Sequence, residues 1–412
     1  MMPSGMKIIM LIDMDAYFAS IEQKSNPHLL GKPIGVIGSN KRTIITTASY
    51  EARTRGVKTG MNIYEAKAAC PEIILVVGNN RKYTYTCSEL SRIYMKYTPD
   101  VEVYSVDEAF LDVTDTQHLF GGAMRIGAEI KSEIKKLFGI NATIGISYNK
   151  LMAKLVSDLS KPDGLKMLTK EESKAMLADL PTKELWGIGR HMAEKLRAIG
   201  INTCGELGRA SSSMLRSRFG IIGERLKAMG QGIDDLAVSS HELHGTGTVK
   251  SIGHSMTLPG DIWRKIEIEA YLLKLSEMVG ARARKHKYMG SVITVTIRYK
   301  SFETYTRQKK LRVYTNDSHS IFSTAMEIIK EQRLKEPIRL LGVSLSGLTE
   351  DTGQISLFEE INKRRALLNA VDSINDRYGS STAGWALYAL METNTGVISP
   401  TWRPNGIHKG YI

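Results

Sequence analysis

The chain begins with a continuous apolar run, MKIIMLI at residues 6–12, which predicts a strand buried on both faces, followed by a short helix over 15–24. Residues 34–37 and 43–48 predict short strands around the turn Gly38-Ser39-Asn40. VEVYSV (101–106) and AFLDV (109–113) predict a tight hairpin with Asp107-Glu108 at its turn. An amphipathic helix over 123–138, a strand over 142–147 and a helix over 149–159, ended by Lys161-Pro162, complete an interleaved pattern of the α/β or α+β kind. Residues 171–235 hold no good strand. Short helices there alternate with Gly187, Gly189, Gly200, Gly205, Gly220, Gly223 and Gly230, which predicts a small all-helical domain. Near residue 245 the pattern changes again. Strands at 247–258, 291–300, 309–315 and 338–346, with helices at 261–287 and 318–333, give the order βαββαβ, a small sheet with two helices on one side. Strand 291–300 alternates cleanly. Ile293, Val295, Ile297 and Tyr299 share one face, and Thr294, Thr296, Arg298 and Lys300 share the open one. A polar loop and a helix over 359–375 follow.

A chain of 412 residues, 42% hydrophobic, implies two to four soluble domains. No apolar run is long enough to span a bilayer. The N-terminal apolar stretch ends in two aspartates without a small-residue cleavage site, so it reads as a strand and not as a signal peptide. Cys70, Cys87 and Cys204 lie far apart, which argues against a disulfide framework or zinc site and for a reducing cytoplasm. The net charge of +13 suits a polyanion. No basic amphipathic helix or lipidation signal favours a membrane, so nucleic acid is the expected partner. Between 282 and 312 there are ten Lys or Arg and one acid, Glu303. Their clustering on one strand face and the preceding helix end predicts a phosphate-binding face.

The candidate chemistry lies in carboxylates. Asp13 and Asp15 close a buried strand, and Asp107 and Glu108 sit between two others. Such acids near sheet edges are costly unless a cation or solvent compensates. Mg2+ takes oxygen ligands, and two such ions can clamp an in-line displacement at phosphorus. A polymerase, a nuclease and a nucleotide cyclase all fit this pattern.

IDMDAYFASIE, TTASYEARTRGV, YSVDEAFLDVT and SKPDG stand in the order and spacing of the Y-family (DinB/UmuC-type) DNA polymerases, over about residues 6–358. The resemblance implies an α+β multidomain right hand. Its palm would be residues 1–24 and 79–168, its fingers 25–78, its thumb 169–240 and its βαββαβ little finger 243–349, with a tail over 350–412. It implies low-fidelity, template-dependent synthesis past damaged bases, in the DNA-damage (SOS) response of a bacterium, with two Mg2+ ions held by Asp13, Asp107, Glu108 and the main-chain carbonyl of Met14. Asp15 would support them. Phe18 matches the steric gate against a 2′-hydroxyl, with Tyr17 packing beside the sugar. Tyr50, Arg53, Lys161 and nearby Thr47 match contacts to the incoming triphosphate. Ser49 replaces the expected Asn, which puts one local hydrogen bond in doubt.

Trp186-Gly187-Ile188-Gly189 resembles a helix-hairpin-helix, whose exposed amides at Gly187 and Gly189 would meet a DNA phosphate. Arg298 and Lys300 are the expected DNA contacts of the little finger. Gln354-Ile355-Ser356-Leu357-Phe358 resembles the bacterial sliding-clamp peptide, with Gln354, Leu357 and Phe358 as the contacts. The stretch 371–379 is closer to the UmuC type. Primer-template DNA, deoxynucleoside triphosphates and the clamp are the expected partners. No membrane is expected, and nothing asks for a second copy. A catalytically silent scaffold and a nucleotide cyclase are the competing readings.

Overall fold

The computed structural model describes residues 7–39, 42–239, 249–354, 357–379 and 382–387. Asn40 of the expected turn, and Ile355 and Ser356 of the pentapeptide, lie outside these, as do 240–248 and 388–412. Two compact units meet in sequence at residues 247–248.

The first unit contains β1 (Ile9–Met14), β2 (Ile34–Ile37), β3 (Ile45–Ala48), β4 (Ile74–Val77), β5 (Val101–Val103), β6 (Glu108–Asp112), β7 (Ala142–Ser147) and β8 (Leu165–Met167). They form a five-stranded sheet, β5-β6-β1-β7-β8, and a three-stranded sheet, β3-β2-β4. The apolar run at the N-terminus is continuous because β1 is central and covered on both sides. Met10, Ile12 and Met14 enter the core beneath helices Asn80–Tyr94 and Ala123–Phe138. Ile9 and Leu11 face the other way, with Phe110 and with Ala153 of helix Lys150–Ser160. That helix lies unusually close to the sheet. A Cβ at Gly145 of β7 would stand 2.2 Å from the Ala153 carbonyl, so only glycine fits there.

The hairpin is wider than expected. β5 stops at Val103 and Glu108 opens β6, so Glu108 is a strand residue and not a turn residue. The N–H groups of Tyr104 and Ser105 both donate to the Glu108 carbonyl, which closes a loop around Asp107. Ser49 caps helix Tyr50–Arg53 with its hydroxyl, which also accepts from the Ile34 N–H. Ser49 thus makes two local hydrogen bonds of its own. Residues 170–230 are helical among the described residues, apart from an isolated bridge between Pro181 and Thr203. Capping boxes start two of these helices, Thr169 with Glu172 and Thr203 with Glu206.

The second unit has β9 (Ser251–Ile262), β10 (Tyr288–Tyr299), β11 (Thr304–Thr315) and β12 (Ile338–Glu350), in the order β11-β10-β12-β9. Helices Lys265–Lys285 and Ser318–Lys330 pack on the Ile293, Val295 and Ile297 face, the expected βαββαβ plan. Pro259 is tolerated within β9 because that strand is an edge and its pairing is irregular opposite Ile338–Leu340. β11 starts at Thr304, so Lys300 falls in the preceding turn and leaves the open face of β10. Helix Glu359–Tyr378 is held to this unit by ion pairs: Arg284 with Asp372 (2.6 Å), Arg365 with Asp351 (2.6 Å) and Arg364 with Asp317 (3.1 Å). Among the described residues no helix is long and apolar enough to cross a membrane.

In the first unit Lys150 and Glu102 form a buried pair, the ammonium lying 2.6 and 2.7 Å from the two carboxylate oxygens. Removing one partner strands a buried charge. Glu102→Ala therefore lowers the unfolding free energy of the first unit by about 3 kcal/mol, and adding Lys150→Met restores most of it. Urea unfolding followed by circular dichroism checks both changes.

Candidate active site

Strand register builds the centre of the site. Asp13 pairs with Glu108 across β1 and β6, and the Met14 N–H donates to the Asp107 carbonyl at 3.0 Å. By the two-residue alternation, Asp13 shares the face of Ile9 and Leu11, the face covered by helix Lys150–Ser160. Two lysines from that side meet the acids. The Lys161 ammonium lies 2.5 Å from Asp13 Oδ2. The Lys154 ammonium lies 2.7 Å from Glu108 Oε1, 3.6 Å from Asp13 Oδ2 and 3.3 Å from Asp158 Oδ1.

Burial pushes the Asp13 carboxyl up to about 7, against the pull of Lys161 and with the Glu108 carboxylate adding to the rise. Burial also raises Asp107, whose carboxylate accepts a 2.6 Å hydrogen bond from the Ser105 hydroxyl. Lys154 and Lys161 move the other way. Burial disfavours their charge, but Glu108 and Asp13 respectively hold their protons more tightly than usual. Among the described residues no three acidic, histidine or cysteine side chains are gathered into a ready cation cage. The structure brings Asp13 and Glu108 together with two lysines between and beside them, and turns Asp107 toward Ser105.

Asp15 plays a different part. It accepts from the Thr143 hydroxyl (2.8 Å), the Asp163 N–H (2.7 Å) and the Tyr50 hydroxyl (3.4 Å). It therefore ties β1 to β7, to the loop after Pro162 and to helix Tyr50–Arg53. Burial and the Asp15 carboxylate raise the Tyr50 hydroxyl to about 12, so it remains a donor at neutral pH. The Arg53 guanidinium lies 4.9 Å above the Tyr50 ring and donates to the Ala48 carbonyl, which leaves further donors on its fork. Thr47 is half-buried on β3 beside them. Phe18 is half-buried and stacks on Tyr83, with centroids 4.2 Å apart. Tyr17 corrects an expectation. Its ring is buried in the core and its hydroxyl donates to the Tyr83 carbonyl at 2.8 Å, so its side chain does not stand beside a sugar.

The sequence profile of the impB/mucB/samB family matches residues 12–158, and that of its C-terminal domain matches 249–357. A profile described as the thumb domain of DNA polymerase-iota matches 183–234. A DNA polymerase IV of Pelotomaculum thermopropionicum is 35% identical over 95% of this chain and 96% of its own length. DNA polymerase IV 1 of Bacillus subtilis is 36% identical over 92% of each. A solved Y-family DNA polymerase chimera aligns with a TM-score of 0.74 at 27% identity, covering 83% of this chain and 99% of that one. The chain belongs to the Y family of DNA polymerases. Within that family it sides with the DinB type, as DNA polymerase IV relatives matched over nearly the whole chain indicate, so the lean of 371–379 toward the UmuC type is not upheld.

Sequence reading of this Y-family chain passed over Lys154, Ser105, Asp158 and Tyr83. Lys154 had a signal. Lys150 and Lys154 stand one helical turn apart in an amphipathic helix that faces a strand end carrying four acids. The outlying residues stand apart from the carboxylates. Gly187 (φ +94°) and Gly189 are exposed on either side of buried Ile188, and Gly189 caps helix Arg190–Arg197. The basic cluster is smaller as a surface than as a count. Arg284 is buried against Asp372, and Lys309 pairs with Glu327 on the helix side. Arg298 is half-exposed and donates to the Thr304 hydroxyl. Leu357 is fully exposed and Phe358 is 70% exposed at the start of helix Glu359–Tyr378, while Gln354 lies in the exposed loop before them.

A carboxyl whose folded pKa lies above its unfolded value contributes stability below the unfolded pKa and loses it as pH rises through the folded one. For Asp13 that window runs from 3.8 to about 7. Asp13→Asn should therefore raise the melting temperature by several degrees at about pH 8 and by a clearly smaller amount at about pH 5, where the loss has only begun. Differential scanning fluorimetry in chelator-treated buffer measures this, and equal shifts at both values would contradict the burial argument.

Proposed function

We infer that the chain is a DNA-directed DNA polymerase of the lesion-bypass type, adding deoxynucleotides to a primer 3′ end on a template. The observation that carries the reading is the pairing of Asp13 with Glu108, Asp107 adjoining, at a strand end that also gathers Lys161 and, through Asp15, Tyr50. A cyclase would have no use for the segment matched by a thumb profile or for the matched C-terminal domain. A silent scaffold would not need to keep three buried or half-buried carboxylates that cost stability.

The donor set of Asp13, Asp107, Glu108 and the Met14 carbonyl is all oxygen. Burial first, and the neighbouring Glu108 second, hold the Asp13 carboxyl up, and a hard cation between the two acids would relieve both, so these residues fit Mg2+. When bound, two such ions would supply a more acidic primer hydroxyl and charge neutralisation on the leaving group. The chain's own groups do the rest by position. Arg53 offers a fork of donors to phosphate oxygens, Tyr50 a hydroxyl and Lys161 a mobile positive charge, with Thr47 at the rim. Phe18, backed by Tyr83, gives the incoming sugar a flat wall on the side of its 2′ carbon.

On this reading the five-stranded sheet is the palm, the β3-β2-β4 sheet the fingers and residues 170–230 the thumb, whose Gly187 and Gly189 amides hold a DNA phosphate. The second unit is the little finger. Register places Thr294, Thr296 and Arg298 on its open sheet face beside Thr304, Thr306, Gln308 and Lys310 of β11 and Ser344 and Ser346 of β12. Small hydroxyls with a few cations suit a phosphate backbone and exclude no sequence. Lys300 would join from the turn. Exposed Leu357 and Phe358, with Gln354 before them, support binding to a bacterial sliding clamp. Three buried free thiols suit a reducing cytoplasm.

Asp107→Ala and Glu108→Ala should each remove Mg2+-dependent primer extension while leaving primer-template affinity near wild type, read by extension and gel-shift assays on one preparation. Near-normal extension by either variant would overturn the assignment. Phe18→Ala should narrow the preference for deoxy- over ribonucleotides by on the order of a hundredfold while keeping much of the deoxynucleotide rate, because a clash is lost and no reacting group is. Single-nucleotide incorporation with both sugars decides it.

A further inference from the structure

An aromatic cluster joins two parts of the first unit that the reaction needs in register. Tyr104 lies in the loop between β5 and β6, three residues before Asp107. Its N–H and that of Ser105 both donate to the Glu108 carbonyl, so the start of this loop is fixed to the carboxylate hairpin. The Tyr104 ring meets Trp186 edge-on, with centroids 5.2 Å apart and planes at 88°, and meets Phe110 of β6 at 5.8 Å. Phe110 and Trp186 lie 5.7 Å apart. Trp186 immediately precedes Gly187-Ile188-Gly189 and packs against two cores. One contains Ile9, Leu11 and Phe110 on the sheet face that also carries Asp13, and the other contains Ile188 and the helical segment. Ile188 is buried, so the glycine hairpin has little freedom to slide relative to the indole before it. Tyr104 is 45% exposed and contributes little to either core.

We propose that Tyr104 and Trp186 are a positioning pair, an aromatic strut that sets the distance between the phosphate-holding amides at Gly187 and Gly189 and the carboxylates at Asp107 and Glu108. This rests on the polymerase reading given above. In this role the pair acts on the fold and not on DNA or nucleotide. It acts by fixing where the hairpin presents a DNA backbone relative to the reacting end of the primer. Edge-to-face packing suits that task, because the ring edge and ring face attract at one orientation and resist sliding. Placement errors near 1 Å are enough to slow a transfer by on the order of a hundredfold without weakening substrate binding. Loss of the strut should therefore appear in the rate of chemistry and not in affinity.

The test is single-turnover incorporation of one nucleotide by full-length Tyr104→Ala, Tyr104→Phe and Trp186→Phe, with Asp107→Ala alongside. Tyr104→Ala should bind primer-template within about twofold of wild type, keep its nucleotide half-saturation, and lose on the order of tenfold or more in maximal rate. Tyr104→Phe should restore the rate, since the ring and not the hydroxyl makes the contact, and Trp186→Phe should fall between. Melting temperatures near wild type for Tyr104→Ala exclude a fold defect. A wild-type rate in Tyr104→Ala overturns the strut. So does a loss that tracks DNA affinity, or a failure of Tyr104→Phe to rescue. Should Asp107→Ala extend primers normally, the polymerase reading itself has failed, which is a different result from a failure of Tyr104 alone.

Discussion

Everything at this site depends on carboxylates held out of water. Asp13 is buried at the end of the central strand, and register forces Glu108 to lie opposite it. Two like charges in that position would oppose folding if nothing answered them. The answer comes from one helix and the turn that ends it, which supply Lys154 and Lys161. The residual strain remains visible in the Asp13 carboxyl, still held up near 7 beside a lysine at 2.5 Å. An acid that resists charging where it is buried is one that a cation would relieve.

The parts of this arrangement legible in the sequence were those carried by periodicity. The continuous run before Asp13 announces a strand covered on both faces, and the alternation of Ile293, Val295, Ile297 and Tyr299 announces a sheet with one helical face. The hairpin at 107–108 was placed correctly but drawn too tight. Its closure depends on two N–H groups that share the Glu108 carbonyl, and no side-chain pattern reports that. Lys154 stands outside the motifs, and only packing shows which acid each lysine of that helix meets: Lys150 takes Glu102 and Lys154 takes Glu108. Tyr17 was misplaced for a related reason. Adjacent aromatic residues on a helix point in directions 100° apart, and only packing decides which enters the core.

The second unit shows that charge counted along a chain overstates charge available on a surface. Arg284 belongs to the clustered bases, yet it is buried and joins helix Lys265–Lys285 to helix Glu359–Tyr378 through Asp372. Lys309 is drawn to the helix side by Glu327. What remains on the open sheet face is chiefly serine and threonine, with Gln308, Arg298 and Lys310 among them. A surface of short hydroxyls tolerates variation in what lies against it. That suits an enzyme family whose templates carry altered bases.

At Gly145 helix Lys150–Ser160 rests on bare main chain, where an added methyl would stand 2.2 Å from the Ala153 carbonyl. A helix seated on side chains can drift as rotamers change. A helix seated on backbone has no such bearing, and it carries Lys154 with it as one rigid piece. The location of positive charge in the site is therefore set from two sides, by main-chain contact at Gly145 and by Leu151, Met152, Leu155 and Val156 packed into the core of the helical segment. The chemistry beneath it keeps its geometry only while both faces of that helix stay packed.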